Sequence, residues 1–163
     1  WRFGRILPQR DIATLRGIEG ARMKEAYRLV AQRFGIDWNG RHYQRDNPQA
    51  TDLPNQAINH AATFVEAAAD IAVAAVGALP PLGFIHEDSS NAFTLDIADL
   101  WRTELTLPLA FGAVKAMSEC RGSSLERDLR RRATHAFRRE KLIPKMIERI
   151  RELFDVDDRD GDA

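Results

Sequence analysis

The sequence predicts an all-α fold, a compact multi-helix domain built around one alanine-rich core helix. Apolar residues recur at helical spacing in several segments, and beyond the first few residues no stretch alternates strictly between apolar and polar side chains. The chain has 163 residues, of which 44% are hydrophobic and 29% charged, which is typical of one globular domain. No internal repeat is visible.

The first predicted helix begins near Thr14 and ends at Gly35, after a linker at residues 1–13. Gly17 and Gly20 lie inside this helix, where each costs roughly 1 kcal/mol relative to alanine. A helix that accepts two glycines usually has another backbone or a ligand close to it. We therefore expect close approach of a second helix or of a ligand.

The second predicted helix is the core helix. Asp52 is its N-cap and Pro54 lies in its first turn, and it runs from Asn55 to about Gly77. Many alanines in its apolar stripe indicate close packing on several sides. The stripe consists of Ile58, Ala61, Ala62, Val65, Ala69, Ala72, Val73 and Val76.

Residues 83–100 form the stretch around which the chain is organised. His86 lies in a turn-like segment, followed by a polar loop and a helix that begins near Thr94. Asp96 and Asp99 are three residues apart, so they are neighbours on one helix face. Two acids in the first turns of a helix are common because they oppose the helix dipole. With His86 just upstream, a metal site is the alternative interpretation.

Two more helices are predicted after this stretch. Pro108 indicates a kink or a new helix start in a segment that continues to Met117. A turn at residues 121–124 precedes an amphipathic helix, and a last helix covers residues 141–154. We expect the acidic tail at residues 155–163 to be disordered.

Charge is segregated along the chain although the formal net charge is zero. Residues 1–45 contain ten basic and four acidic side chains, residues 46–120 two and ten, and residues 121–145 nine and three. Twenty of the 24 basic residues are arginine, whose planar fork binds phosphate. Two basic segments around an acidic middle suit a phosphodiester substrate held around an acidic metal site. Solvated helix faces are the structural alternative.

Basic residues in the first third of the chain are candidates for DNA binding. Arg16, Glu19 and Arg22 share one helix face, either as an exposed ion-pair ladder or as a carboxylate ligand flanked by phosphate-binding arginines. Arg41 and Tyr43 lie in a polar loop, where basic and aromatic side chains together suit a nucleic-acid end or single strand. A mobile loop with one anchoring aromatic residue is the alternative.

The amphipathic helix near the C-terminus carries an arginine stripe opposite its apolar stripe. Arg127, Arg130 and Arg131 lie on it with His135 and Arg138. At this density of arginine, a phosphate-binding face is favoured over a merely solvated one.

Several classes of site are excluded by the sequence. It has no Gly-x-x-x-x-Gly-Lys loop, no His-Glu-x-x-His and no Glu-x-x-His motif. The single cysteine, Cys120, rules out an internal disulfide and a cysteine-based zinc site, and a cytoplasmic protein is expected. The longest uncharged apolar run, residues 71–85, contains two prolines and is too short to span a bilayer, so no membrane association is expected.

Four sequence blocks resemble those of the CRISPR-associated spacer-acquisition integrases, most closely the I-E subtype. The blocks are Leu-Arg-Gly-Ile-Glu-Gly-Ala-Arg at residues 15–22, Asn-Gln-Ala-Ile at 55–58, Gly-Phe-Ile-His at 83–86 and Leu-Asp-Ile-Ala-Asp at 95–99. The resemblance extends from about Arg16 to Lys145. It implies that residues 14–154 are the family's helical catalytic domain. Since the chain begins with Trp1 rather than methionine, we expect a fragment that lacks the family's N-terminal β domain.

The resemblance also implies a metal-dependent mechanism. Glu19, His86 and Asp99 fall on the family's metal ligands, and Asp96 falls on its supporting acid. One imidazole and two carboxylates suit Mg²⁺ or Mn²⁺. Such an ion would activate a 3′-hydroxyl for transesterification into the CRISPR repeat, and with water as nucleophile the same site would be an endonuclease.

The resemblance implies DNA contacts and partners as well. The family's DNA-contacting arginines fall on Arg16, Arg41, Arg127 and Arg130. The implied partners are prespacer DNA, double-stranded with 3′ ends, CRISPR repeat DNA, a second copy in a homodimer and a small ferredoxin-like protein. Two departures bear on the handling of DNA ends, namely a shorter loop around Tyr43 and Glu66 in place of a tyrosine.

A second hypothesis comes from a different class of function. In it the chain is a non-catalytic DNA-binding or scaffolding helical domain, whose acids serve only as caps and in ion pairs. The two hypotheses differ in whether the activity depends on metal.

Overall fold

A computed structural model describes residues 11–42, 52–86, 89–119 and 124–154. All regular structure in these residues is helical, which confirms the all-α prediction. In chain order the elements are α1 (Ile12–Phe34), α2 (Leu53–Ala75), α3 (Ala92–Leu100), a π-helix (Arg102–Thr106), α4 (Leu107–Glu119), α5 (Leu125–Glu140) and α6 (Leu142–Leu153). The predicted acidic tail lies outside the described residues.

Helix α1 begins two residues earlier than expected. Asp11 is its N-cap, and its side chain accepts hydrogen bonds from the backbone N–H and hydroxyl of Thr14 at 2.8 and 2.7 Å. Ile12 and the residue after it are therefore helical rather than part of a linker. Gly35 ends the helix as predicted, with φ at 68° in the left-handed region that favours glycine. Residues 1–10 of the predicted linker lie outside the described residues.

Helix α2 is the core helix, as predicted. Its N-cap is Asp52, whose Oδ1 accepts a hydrogen bond from Asn55 N at 2.9 Å. The helix packs against α3, the π-helix, α4, α5 and α6. Small side chains allow this approach from several sides. The fully or nearly fully buried apolar side chains of α2, most of them alanine, are Ala57, Ile58, Ala61, Val65, Ala68, Ala69, Ala72 and Val73.

The chain between α3 and α4 is a continuous helical path with a widened turn. Trp101 O accepts hydrogen bonds from both Leu105 N, at 2.9 Å, and Thr106 N, at 3.1 Å. Pro108 follows in the first turn of α4, where its missing N–H is tolerated. The predicted new helix start at Pro108 is therefore confirmed to within one residue, and a π-helix precedes it.

The last two helices cover the core helix from one side. In α5, Leu129, Ala133 and Ala136 are buried, and its arginines project outward as predicted. Lys141 adopts a left-handed conformation with φ at 50°, which separates α5 from α6. In α6, Met146 and the residues four positions before and after it are buried against the core. None of the helices within the described ranges combines the length and apolar character needed to cross a membrane.

Candidate active site and nucleic-acid interface

Asp96 holds the turn that carries His86. Its Oδ2 accepts hydrogen bonds from Phe84 N at 2.5 Å and Ile85 N at 3.0 Å. Its Oδ1 accepts one from His86 N at 3.2 Å and lies 2.7 Å from His86 Nδ1. Asp96 thus binds both the backbone of the turn and the ring of His86. When Nδ1 carries the proton, Asp96 fixes the ring and leaves Nε2 as the free ligand atom.

Gly83 is required by the close packing of this turn. A Cβ atom built on Gly83 would lie 2.1 Å from the backbone oxygen of His86 and 2.5 Å from Cβ of Ala92. Both distances are far below van der Waals contact, so any side chain would push the turn away from the start of α3. The glycine of the Gly-Phe-Ile-His block therefore has a steric function.

Asp99 is bound by an arginine one turn further along the chain. Arg102 donates hydrogen bonds to Asp99 Oδ1 through Nε, at 2.7 Å, and through Nη2. Its Nη1 donates to the hydroxyl of Tyr27 at 3.3 Å. Burial alone lowers the pKa of Arg102, but the charge of Asp99 and these hydrogen bonds raise it above the ordinary value. Arg102 is thus a permanent cation at the site. The i, i+3 spacing from Asp99 was the signal that our sequence reasoning missed.

Glu66 of α2 lies within electrostatic reach of the same group. Burial raises its pKa, the charges of Arg102 and His86 lower it, and Asp99 and Asp70 raise it, with a net upward shift. The position that departs from the family pattern therefore adds a carboxyl group beside the predicted ligands.

Contacts at two points of α1 bring Glu19 toward this site. Arg16 Nη2 donates to the backbone oxygen of Ile85 at 2.8 Å, and Tyr27 contacts Arg102. Positions 16, 19 and 27 lie on one face of a helix, so Glu19 lies between the two contacts. The side chain of Glu19 is 19% exposed, and its Oε2 is buried. This face of α1 therefore turns toward the His86 turn and the π-helix.

Both arginines of the predicted ladder on α1 have contacts in this region. Arg22 Nη1 lies 4.0 Å from Glu19 Oε2, whereas Arg16 binds the His86 turn. A Cβ atom built on Gly17 or Gly20 meets nothing within 4 Å. The expectation that a second helix packs against these glycines is therefore wrong for the described residues, and the space beside α1 is open to a ligand.

The donor types at the site suit a hard divalent cation, but they do not form a ready-made cage. Carboxylate oxygens from α1 and α3 and an imidazole from the turn are ligands that Mg²⁺ and Mn²⁺ accept. Within residues 11–42, 52–86, 89–119 and 124–154, no group of three or more His, Cys, Asp or Glu side chains is arranged to hold a metal ion. Asp99 is bound to Arg102 instead. The assignment of Glu19, His86 and Asp99 as ligands stays a prediction.

Arg41 is tied to the start of the core helix. Its Nη1 donates to Asn55 Oδ1 at 2.9 Å and its Nη2 donates to Asn59 Oδ1 at 2.5 Å. The segment before the predicted DNA-binding loop is thus fixed on α2. The proposed contact of Arg41 with DNA stays a prediction.

Asn55 uses its full hydrogen-bonding capacity to hold this segment. Besides Arg41, His42 N donates to its Oδ1 at 3.0 Å. Its Nδ2 donates to Gly40 O at 3.0 Å and to Asp52 Oδ1 at 2.8 Å. The amide thereby forms two donor and two acceptor bonds while fully buried. Asn55 is therefore a structural clamp, which gives a physical reason for the asparagine of the second sequence block.

Trp38 is the aromatic anchor of the same segment. Its ring stacks on Tyr27 with the centroids 5.4 Å apart and meets Phe111 edge-on at 5.5 Å. Trp38 is therefore an anchored aromatic residue at the start of this segment, and most of the predicted mobile loop lies outside the described residues. Tyr43 lies outside the described residues, so its predicted contact with DNA is not addressed by the structure.

The outer face of α5 is basic, as predicted. Arg127, Arg130 and Arg131 are exposed, and Arg130 pairs with Glu126 at 2.6 Å while Arg131 pairs with Asp128. Asp128 is buried and also binds Arg132 Nε at 2.5 Å. Within the described part of the chain, Arg127 and Arg138 have no ion-pair partner. The surface therefore presents guanidinium groups that its own acids do not neutralise.

Comparison with known proteins identifies the family. Residues 3–149 match the family model described as CRISPR associated protein Cas1. The chain belongs to the Cas1 family. It is 33% identical over 147 residues to CRISPR-associated endonuclease Cas1 1 of Rhodospirillum rubrum, covering 89% of this chain and 47% of that protein. It is 32% identical over 153 residues to CRISPR-associated endonuclease Cas1 of Escherichia coli K12, covering 93% of this chain and 49% of that protein.

Solved Cas1 structures share the fold. A crystal structure of a TtCas1–DNA complex matches with a TM-score of 0.84 and 34% identity, covering 94% of this chain and 56% of that chain. A crystal structure of TtCas1 matches with a TM-score of 0.74 and 31% identity, covering 90% and 53%. This chain thus spans about half the length of these Cas1 relatives, and the family expected from the four sequence blocks is confirmed.

Proposed function

We propose that this chain is the helical catalytic domain of a Cas1 integrase of the I-E subtype. It would join the 3′-hydroxyl of a foreign DNA fragment to the CRISPR repeat by metal-dependent transesterification during spacer acquisition. The observation that carries the proposal is the contact through which Asp96 fixes the His86 ring, on the same helix as Asp99 and three residues before it. The helix of Glu19 is pinned to the same turn by Arg16.

The proposed mechanism assigns a role to each side chain. Glu19, Nε2 of His86 and Asp99 would hold Mg²⁺ or Mn²⁺, which supplies polarisation of the phosphodiester and a lower pKa for the attacking 3′-hydroxyl. Asp96 keeps the His86 ring in one orientation through its 2.7 Å contact with Nδ1. One P–O bond forms as another breaks, so the step requires no external energy source. With water as the nucleophile, the product is a cleaved strand.

The basic surfaces fit a DNA substrate. We assign Arg127, Arg130 and Arg131 to phosphate contacts, since exposed guanidinium groups at this density neutralise a backbone rather than read bases. On α1, Arg16 and Arg22 flank the open space beside the two glycines. We propose further contacts by Arg41 and Tyr43. The match to a structure titled as a TtCas1–DNA complex supports this assignment.

The partners of the whole protein are part of the same proposal. We infer that it acts in the cytoplasm as a homodimer with a small ferredoxin-like protein, on prespacer and CRISPR repeat DNA. Because the chain spans about half the length of its relatives, we expect residues 1–163 alone to integrate poorly. A stable, fully active monomer would contradict this expectation.

One observation favours the non-catalytic alternative. Asp99 pairs with Arg102, and Asp96 accepts hydrogen bonds from the His86 turn, so both acids have structural partners. In that alternative the domain binds DNA as a scaffold and needs no metal.

Metal dependence separates the two functions. The protein, with its partner, is incubated with branched DNA and either Mn²⁺ or EDTA. We expect strand joining or cleavage with Mn²⁺, and we expect Asp99→Asn to lose this activity. The control variant Glu104→Gln, which alters an exposed acid on the π-helix, is expected to retain it. No activity with any divalent cation would favour the scaffold.

A further inference from the structure

The site contains an internal cation that the predicted ligand set does not include. Two nitrogens of Arg102, Nε and Nη2, donate to the same Oδ1 atom of Asp99. The third, Nη1, donates to Tyr27 OH at 3.3 Å. The guanidinium group therefore joins α1, which carries Glu19, to α3, which carries Asp99.

A second arginine–carboxylate pair with the same i, i+3 spacing differs from this one in its exposure to solvent. Arg28 also binds Glu25 through Nε and Nη2, at 2.9 and 2.5 Å. That pair is open to solvent, with side chains 56% and 54% exposed, whereas Arg102 and Asp99 are 23% and 17% exposed. Water and salt screen the outer pair strongly and the inner pair much less. The charge of Arg102 consequently acts more strongly on a second cation that approaches Asp99 than the charge of Arg28 does at Glu25.

Asp99 is one of the three proposed metal ligands, so Arg102 and the metal ion would bind the same carboxylate. We propose that Arg102 competes with the divalent cation for Asp99 and thereby sets the metal affinity of the site. This inference rests on the proposed function.

A metal ion at Asp99 Oδ1 would meet the guanidinium at contact distance, and like charges at that distance repel. Binding at Oδ1 therefore requires Arg102 to leave that oxygen, and a metal ion at Oδ2 would still share the carboxylate with this cation. The absence of a ready three-ligand group in the described residues is consistent with this competition, since Asp99 is turned to Arg102.

The test measures binding of Mn²⁺ alone to the full chain, by the loss of the electron paramagnetic resonance signal of free Mn²⁺. Three variants are compared with the unmodified chain. Arg102→Gln removes the charge, Arg102→Lys keeps a cation but loses the fork, and Arg28→Gln removes the same charge from the exposed pair. Thermal melting without metal checks that each variant folds.

We expect Arg102→Gln to bind Mn²⁺ about tenfold more tightly, which corresponds to about 1.4 kcal/mol. Arg102→Lys is expected between the unmodified chain and Arg102→Gln, and Arg28→Gln within about twofold of the unmodified chain, because an exposed charge is screened. Equal or weaker binding by a cooperatively melting Arg102→Gln would overturn the competition and show that Arg102 instead orients Asp99.

A second variant covers the case in which Arg102→Gln does not fold. Tyr27→Phe keeps the charge of Arg102 but removes the hydroxyl that holds Nη1, so we expect about two- to fivefold tighter binding. Unchanged or weaker affinity of this variant would refute the inference. If no form of the chain binds Mn²⁺, the metal dependence of the proposed function fails, and the competition fails with it. If the unmodified chain binds and the variants do not differ from it, only the competition fails.

Discussion

Gly83→Ala is expected to destabilise the protein and to release His86 from its fixed position. The added Cβ would lie 2.1 Å from His86 O and 2.5 Å from Ala92 Cβ, more than 1 Å closer than van der Waals contact allows. Relieving that overlap by moving the backbone costs about 1–3 kcal/mol. Movement of the turn also weakens its hydrogen bonds to the Asp96 carboxylate, and bonds to charged groups contribute roughly 1.5–3 kcal/mol each.

The expected loss in free energy of unfolding is therefore about 3 kcal/mol, which lowers the melting temperature by about 6–12 °C for a chain of this size. Gly17→Ala is the matched control, because its added methyl group meets nothing within 4 Å and lies in a helix. It is expected to raise stability by about 1 kcal/mol. Thermal and urea unfolding measure both variants. If Gly83→Ala melts like the unmodified chain and its His86 ring signals are unshifted in nuclear magnetic resonance spectra, the steric argument is refuted.

Three further predictions concern the two aspartates, the arginine face and the asparagine clamp. Asp99→Asn should abolish metal-dependent strand transfer, whereas Asp96→Asn should cost about 10–100-fold and be partly rescued by excess Mn²⁺. A metal titration that finds Asp96→Asn dead and Asp99→Asn rescued would reverse the assignment. Arg127→Ala should reduce the salt slope of DNA binding by about one, equally for different sequences. An unchanged slope would contradict a phosphate contact. Asn55→Ala should lower the free energy of unfolding by about 2–4 kcal/mol in urea titrations, since it removes the hydrogen bonds that Asn55 makes with Arg41 Nη1, His42 N and Gly40 O. A loss below about 0.5 kcal/mol would show that the clamp does not hold.

The helices could be predicted from the sequence because their signals are local. Asp52 caps α2 and Gly35 ends α1 through contacts within one helical turn, and the apolar spacing of α2 reports the face that it buries. Three starts that sequence reasoning misplaced, at Ile12, Leu53 and Ala92, are off by two residues each. The start of α1 is decided by a single cap, Asp11, and Thr14 is a residue type that could also have supplied one. The family, too, is a property of the sequence, because four spaced blocks identify it together.

The candidate site was decided by contacts between distant parts of the chain. The sequence shows that His86 lies close to Asp96 and Asp99 along the chain. The hydrogen bonds of Asp96 to the turn, and the steric need for Gly83, arise only because the turn packs against α3. The pairing of Arg102 with Tyr27 joins residues 75 positions apart, and that of Arg41 with Asn59 joins residues 18 apart. Arginine–carboxylate spacing along a helix is the same for Arg28–Glu25 and Arg102–Asp99. What separates them is burial, and burial depends on which helices pack together, which no local pattern determines.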